Sequence, residues 1–285
     1  MRQKIIELIF KISKQADAFD ILENYFSNIS KKQLSEIIIE CGILPEIFAH
    51  DSSEEKLWAK YSDILLCKTL NFLGITSEVL RSRGNSADIF GRNKKYTIVG
   101  DAKTFRLSRT AKNQKDFKIK ALDDWRKSDT YALLASPLYQ YPNRQSQIYE
   151  QAVEKNVTLL SYIHLKFLLD FWNGQDLTKL WETGSKIKSS IKYSEHNNST
   201  KYWQEIDFVV CEVLKKSTDQ LKEYKKLDIS SIKSIGEEGI NYWKSKIAEY
   251  QKLSQKEAIE KLIKSEKIES KIKTIEKEIN KNFTI

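Results

Sequence analysis

Apolar residues recur at helical spacing through the first fifty positions, in Lys4–Ile12 and again in Gln33–Leu44, with Gly42 and Pro45 closing the pattern. Asp51-Ser-Ser predicts an N-cap for a long helix over Glu54–Leu73, ended by Gly74. The period then changes. Ser86–Phe90 and Tyr96–Lys103 read as two strands joined by a turn at Gly91–Lys95. Phe117, Ala121, Leu122 and Trp125 share one side of a helix expected over about 112–128, and Tyr131–Ser136, stopped by Pro137, reads as a buried strand. A helix at 144–154, a strand at Val157–Tyr162 and a helix at 163–172 follow, and from about 200 the pattern is helical to the end. Late in the chain Ile268, Ile272, Ile275 and Ile279 make one apolar stripe, expected to pack on the core, with a dimer contact as the alternative. Lys186–Thr200 reads as a mobile connection. The class is therefore α/β in one subunit, 1–285, with a helical N-terminal region (1–50), a core (51–172) and a helical C-terminal region (173–285).

Composition narrows the picture. With 285 residues, 40% of them apolar, the chain can bury a sizeable core. No stretch reaches the roughly 18 apolar residues of a membrane span, and the first apolar run, interrupted by Glu7, lacks a cleavage motif. Cys41, Cys67 and Cys211 are odd in number and far apart, which excludes a disulfide framework or a CxxC zinc site. The expectation is a soluble, cytoplasmic protein.

Charge location is more informative than the net +9. Seven of the eight arginines lie between Arg81 and Arg144, whereas the chain from Ser185 on holds 21 lysines, 16 acids and no arginine. Between Asp101 and Lys127 nine cations face four acids. Within that stretch Lys103, Arg106, Arg109, Lys112, Lys115 and Lys118 recur every third residue. On one regular helix each step of three falls about 60° short of a full turn, so these cations would spiral around it. A strand end running through a loop into a helix suits them better, with the cations following a curved polyanion such as nucleic acid.

Chemistry concentrates at the end of the second strand. Alternate strand residues project to the same side, so Asp101 and Lys103 point together, and a hairpin turning near 91–95 brings Asp88 close to Asp101. Two acids beside a lysine can hold Mg²⁺ against a phosphodiester. Asp88 and Asp101, helped by the Ala102 carbonyl, would bind the metal, while Lys103 would orient the attacking water and offset charge on the phosphorane. Acid-any-lysine triplets begin at Glu54, Asp101, Asp116, Glu223 and Glu269, but only the copy at Asp101 ends an apolar β-run with another aspartate on the preceding strand. The plain alternative is a surface ion pair. Glu55 could lend a third carboxylate to a second metal, although a solvated helix face is the simpler reading of it. His50, His164 and His196 are scattered, His164 reads as a core histidine, and no glycine-rich phosphate loop is present, so histidine-metal, Ser-His-Asp and NTPase chemistries lack support.

Arg83–Asp88, Gly100–Leu122 and Trp125-Arg126 closely resemble the HindIII-like family of type II restriction endonucleases. Looser likeness runs through Gly42–Glu46, Glu55–Leu57, Gln140–Pro142, Ser146–Ile148 and Asn156–Ser161, and fades beyond about 172. The turn between Asp88 and Asp101 is shorter than the family's, and Ala87 stands where the family has glycine. The resemblance implies a PD-(D/E)xK restriction-endonuclease-like core, a mixed central sheet flanked by helices with helical N- and C-terminal extensions. It also implies a homodimer on double-stranded DNA and Mg²⁺-dependent hydrolysis leaving 5′-phosphate ends. The implied target is AAGCTT, cut after the first A, with a cognate DNA methyltransferase as functional counterpart in the host. On this resemblance the catalytic residues are Asp88, Asp101 and Lys103. The DNA-contacting set is Arg83, Asn85, Arg106, Arg109, Thr110, Lys112, Asn113, Gln114, Lys115 and Lys118. Asn113 and Gln114 suit adenine, and Arg109 or Lys112 suits guanine or a phosphate. A related nuclease with another target, or a non-cleaving DNA-binding protein of the same fold, are the alternatives.

Overall fold

Five strands make one mixed sheet in the order β1-β2-β3-β4-β5: β1 (Thr76–Val79), β2 (Ile89–Arg92), β3 (Thr97–Ala102), β4 (Tyr131–Ser136) and β5 (Val157–Ser161). The first three are antiparallel neighbours, and β4 and β5 continue the sheet parallel to β3. The computed structural model describes residues 1–81, 86–109, 114–142, 146–190 and 199–279; for Gln114, Lys115, Thr274 and 277–279 it describes the backbone alone. The chain divides into two compact units, Met1–Gly236 and Glu237–Ile285.

The expected strands and helices form with small shifts, and β1 is an addition that period-2 reading missed. Its four residues are too short and too mixed in polarity (exposed, half-buried, exposed, buried) to stand out. At the N-terminus three helices, α1 (Arg2–Ile12), α2 (Ala18–Tyr25) and α3 (Lys31–Cys41), pack on α4 (Ser53–Phe72). Ser52 caps α4 by accepting from the Glu55 N–H at 3.1 Å, and the chain reverses at Gly74 with φ +74°. In turn α4 lies against β1, β2 and β3.

The helix expected over 112–128 is two helices, α5 (Gln114–Phe117) and α6 (Ile119–Arg126), separated by Lys118 in the left-handed region at φ +47°. The break lets Phe117 turn inward, where its buried ring stacks on Tyr141 with centroids 5.1 Å apart and meets Phe105 at 5.9 Å. After β4, α7 (Gln147–Glu154) leads to β5, and α8 (Tyr162–Phe171) starts directly from it. Next come α9 (Thr178–Trp181), α10 (Thr183–Ser189), α11 (Ser199–Leu214) and α12 (Thr218–Tyr250). Most of the expected connection at Lys186–Thr200, residues 191–198, lies outside the described residues.

The unit Glu237–Ile285 holds α13 (Gln255–Ser265) and α14 (Ile268–Ile279). Of the expected stripe, Ile268, Ile272 and Ile275 are 40%, 50% and 61% exposed. Residue spacing gave the stripe correctly, but burial depends on a partner that spacing cannot supply.

His164 is the core histidine expected, fully buried and stacked on Trp203 with centroids 5.5 Å apart. It is not unpartnered. Its Nδ1 accepts from the Ser161 backbone N–H at 3.1 Å, which fixes the proton on Nε2, and Nε2 donates to Asp207 at 2.8 Å. Lys225 holds the other Asp207 oxygen, so the imidazole ties the β5–α8 junction to α11 and α12. Burial lowers the His164 pKa from its ordinary 6.5, more than the Asp207 contact raises it. A depressed pKa means that the folded chain resists protonation there. The stability from neutral His164 should therefore be intact above pH 6.5 and lost as pH falls below it toward the depressed folded value. The urea midpoint should drop between pH 7.5 and 5, and His164→Asn should remove most of that drop. Equal slopes in the two proteins would contradict this.

Candidate active site

Asp101 lies in a β3 run, Thr-Ile-Val-Gly-Asp-Ala, that is buried from its second residue on, so its carboxylate is only 2% exposed. Residues Ile89 and Gly100 pair across β2 and β3, and one further step of that antiparallel register sets Asp88 opposite Asp101. Asp63 reaches the same point from the middle of α4, with its side chain 5% exposed. One oxygen from each of Asp63, Asp88 and Asp101 lies within 4.8 Å of the others.

Two ammonium groups accompany these acids. Lys103 donates to Asp101 Oδ2, as the shared side of β3 predicts. Lys60, one helical turn before Asp63, places Nζ 3.0 Å from Asp63 Oδ2 and 2.6 Å from Asp88 Oδ1. Burial, then the adjacent Asp88 charge, pushes the Asp63 pKa up, with Lys60 acting in the opposite direction. Burial also raises Asp101, against the pull of Lys103 and a further contribution from Lys118. For Lys60, burial disfavours the charge, but Asp63 and Asp88 outweigh it and keep the ammonium protonated. Hard carboxylate oxygens converging from three elements are a donor set suited to a small divalent cation.

The segment leaving β3 is fastened on several sides. Ile43 and Phe105 form a parallel bridge, with Phe105 N–H donating to Gly42 at 2.9 Å and Leu44 N–H to Phe105 at 3.1 Å. Gly42 is required there: a Cβ would come within 2.4 Å of the Tyr162 ring. Tyr162 OH donates to the Lys103 carbonyl at 3.0 Å, and the Lys103 N–H donates to Ala135 at 2.8 Å. Glu46 accepts from the Ser108 N–H at 3.0 Å. A cleft of about 470 Å³ beside this segment is lined by Leu44, His50, Glu55 and Thr104–Arg106 with Ser108 and Arg109. A larger cleft, about 570 Å³, lies at the β2–β3 turn around Arg92–Tyr96, at the strand ends away from the carboxylates.

Of the residues expected to act, Asp88, Asp101 and Lys103 are brought together, and Ala102 ends β3 beside them in register with Ala135. Glu55 is elsewhere. It lies eight residues before Asp63 on α4, about 12 Å along the axis, and pairs with both Arg106 guanidinium nitrogens at 3.1 and 3.2 Å. Arg106 also donates to the Phe48 carbonyl at 2.7 Å. Arg109 pairs with Asp116 at 2.6 Å and lies over the Phe105 ring. Lys118 occupies the α5–α6 break, where its charge reaches Asp101. Arg83, Asn85, Thr110, Lys112 and Asn113 lie outside the described residues, and Gln114 and Lys115 belong to α5.

Asp63 and Lys60 were missed in the sequence because α4 reads as an ordinary capped helix. The available signal was a carboxylate inside the apolar run Tyr61–Leu66, where a solvated face would not be expected. The Ser161–His164–Asp207 array looks like a hydrolytic triad, but Ser161 and His164 are both 0% exposed, so no substrate reaches them.

Glu55 is paired with Arg106, whereas Asp63 lies in the carboxylate cluster that could hold a cation, and the two should separate by measurement. Glu55→Gln should cost about 2 kcal/mol of stability by weakening a half-buried charged pair, while leaving Mn²⁺ affinity near wild type. Asp63→Asn should weaken Mn²⁺ binding without a comparable loss of stability. The reverse pattern would place the third carboxylate at Glu55.

Comparison with known proteins agrees with this geometry. The HindIII restriction endonuclease family model matches residues 3–279. The type II restriction enzyme HindIII of Haemophilus influenzae is 35% identical over 282 residues, covering 96% of this chain and 93% of the relative. A five-stranded mixed sheet flanked by helices, a carboxylate cluster at the ends of its strands β2 and β3 and a match over nearly the whole length lead to one conclusion: the chain belongs to the HindIII restriction endonuclease family.

Proposed function

We propose that this type II restriction endonuclease hydrolyses double-stranded DNA at AAGCTT after the first A, with Mg²⁺ as cofactor and 5′-phosphate ends as products. The observation that carries the reading is the convergence of Asp63, Asp88 and Asp101 with Lys103 immediately before the cation-rich segment. Asp88 and Asp101, with the Ala102 carbonyl, would hold the ion, and Asp63 would supply a third carboxylate. When bound, the metal supplies Lewis-acid stabilisation of the phosphate and of the leaving 3′ oxygen.

The chain's own groups do the rest. Lys103 Nζ, fixed beside Asp101, orients the attacking water and offsets charge on the phosphorane. Arg83, Asn85, Arg106, Arg109, Thr110, Lys112, Lys115 and Lys118 provide the phosphate- and base-contacting set, with Asn113 and Gln114 on adenine and Arg109 or Lys112 on guanine or phosphate. The local cation excess over Asp101–Lys127 supports this assignment.

A palindrome matches a homodimer in which each subunit reads one half-site. The exposed apolar residues of α13 and α14 support a self-association surface. No helix among the described residues is long and apolar enough to cross a membrane. In the host, we expect a cytoplasmic enzyme acting opposite a methyltransferase that protects the same site.

Plasmid incubated with the protein and Mg²⁺ should give discrete fragments with AGCT overhangs. Other discrete ends would replace the target sequence, and intact DNA would favour a non-cleaving binder. Asp101→Asn should abolish cutting, by removing a carboxylate that would hold the ion, while DNA binding in Ca²⁺ persists. Cleavage surviving that substitution would move the active site elsewhere.

A further inference from the structure

The carboxylate cluster already holds a positive charge where a second divalent ion would compete for oxygens. Lys60 Nζ bridges Asp88 Oδ1 at 2.6 Å and Asp63 Oδ2 at 3.0 Å, whereas Lys103 engages Asp101. Each of the three acids thus has an ammonium partner, and the group carries three formal negative charges against two positive ones. A cation entering between Asp63 and Asp88 would meet the Lys60 ammonium at roughly 4 Å or less, a like-charge contact that costs orders of magnitude in affinity.

The two lysines differ in freedom. Lys103 is 18% exposed, and its backbone is fixed on both sides, the N–H by Ala135 and the carbonyl by Tyr162. Lys60 is 38% exposed, sits on the α4 surface, and has a flexible four-carbon stem that can carry its ammonium out to water. Asp88, at 35% exposed, is the acid by which an ion would enter, and Lys60 is hydrogen-bonded to that acid.

We propose that Lys60 is a resident counter-ion of the Asp63–Asp88 half of the site, closing that half to a divalent cation until its ammonium is displaced into solvent. The consequence is ordered loading. The Asp88–Asp101 side takes an ion first, and the Asp63–Asp88 side takes a second only at higher concentration, as Lys60 withdraws. This inference rests on the reading of the three aspartates as a metal site.

Mn²⁺ titration of the full-length protein, with free ion followed by electron paramagnetic resonance, counts bound ions without recourse to cleavage. Wild type should show one tighter and one weaker ion per subunit. Lys60→Met should tighten the weaker one by at least about tenfold, and Lys60→Arg should keep the wild-type isotherm. An unchanged or weakened isotherm in Lys60→Met overturns the proposal. Asp101→Asn separates the two levels: if it binds Mn²⁺ as wild type does, the metal reading fails, whereas loss of binding there with an unchanged Lys60→Met isotherm defeats only the role given to Lys60. Lysine acylation of the wild-type protein, read by mass spectrometry, tests the same displacement without any variant. Mg²⁺ should increase labelling at Lys60 several-fold, and no increase would count against the proposal.

Discussion

Three carboxylates within 4.8 Å of one another repel, and two of them are almost fully buried, where each charge is costly to leave unpaired. Much else in the first unit follows from holding them there. The β2–β3 hairpin fixes Asp88 against Asp101, and the helix that covers β1–β3 delivers Asp63 together with its own counter-charge one turn away. Two ammonium groups offset the repulsion. Replacing either would leave buried anions uncompensated, the situation that removing one partner of a buried ion pair creates. The upward push on the Asp63 and Asp101 pKa values is the same tension expressed as proton affinity.

Active site and proposed recognition segment are also one piece of chain. The residues after Lys103 are fastened by the Ile43–Phe105 bridge, by Glu46 at Ser108, by Glu55 at Arg106 and by Tyr139 and Gln140 at the backbone of Phe105 and Arg106. Such a mount limits independent motion of the lysine and of the segment that leads to 110–113. Arg106 and Arg109 are joined to acids of the same chain, so a DNA phosphate approaching either must compete with Glu55 or Asp116.

Much of this was legible in the sequence, for reasons that differ by residue. Asp101 and Lys103 could be found because period-2 spacing fixes side, and Asp88 because a short hairpin fixes register. Ser52 and Gly74 announced the ends of α4 through cap chemistry. Asp63 and Lys60 were hidden, since their role arises from how α4 lies on the sheet, a tertiary fact with no local signature. Glu55 had the right chemistry but stands two helical turns too early, and its partner, Arg106, is 51 residues away. The break at Lys118 likewise reflects the burial of Phe117 rather than any glycine or proline. The isoleucine stripe of α14 shows the converse limit, in which periodicity predicts an apolar face without saying what covers it.

Anomalous diffraction from crystals equilibrated with Mn²⁺ tests the central claim most directly, because it locates the ion without reference to turnover. A peak within about 2.5 Å of oxygens from both Asp88 and Asp101 is the result expected for hard-cation coordination at this cluster. A peak bound elsewhere in the subunit, with these carboxylates still joined only to Lys60 and Lys103, would contradict it.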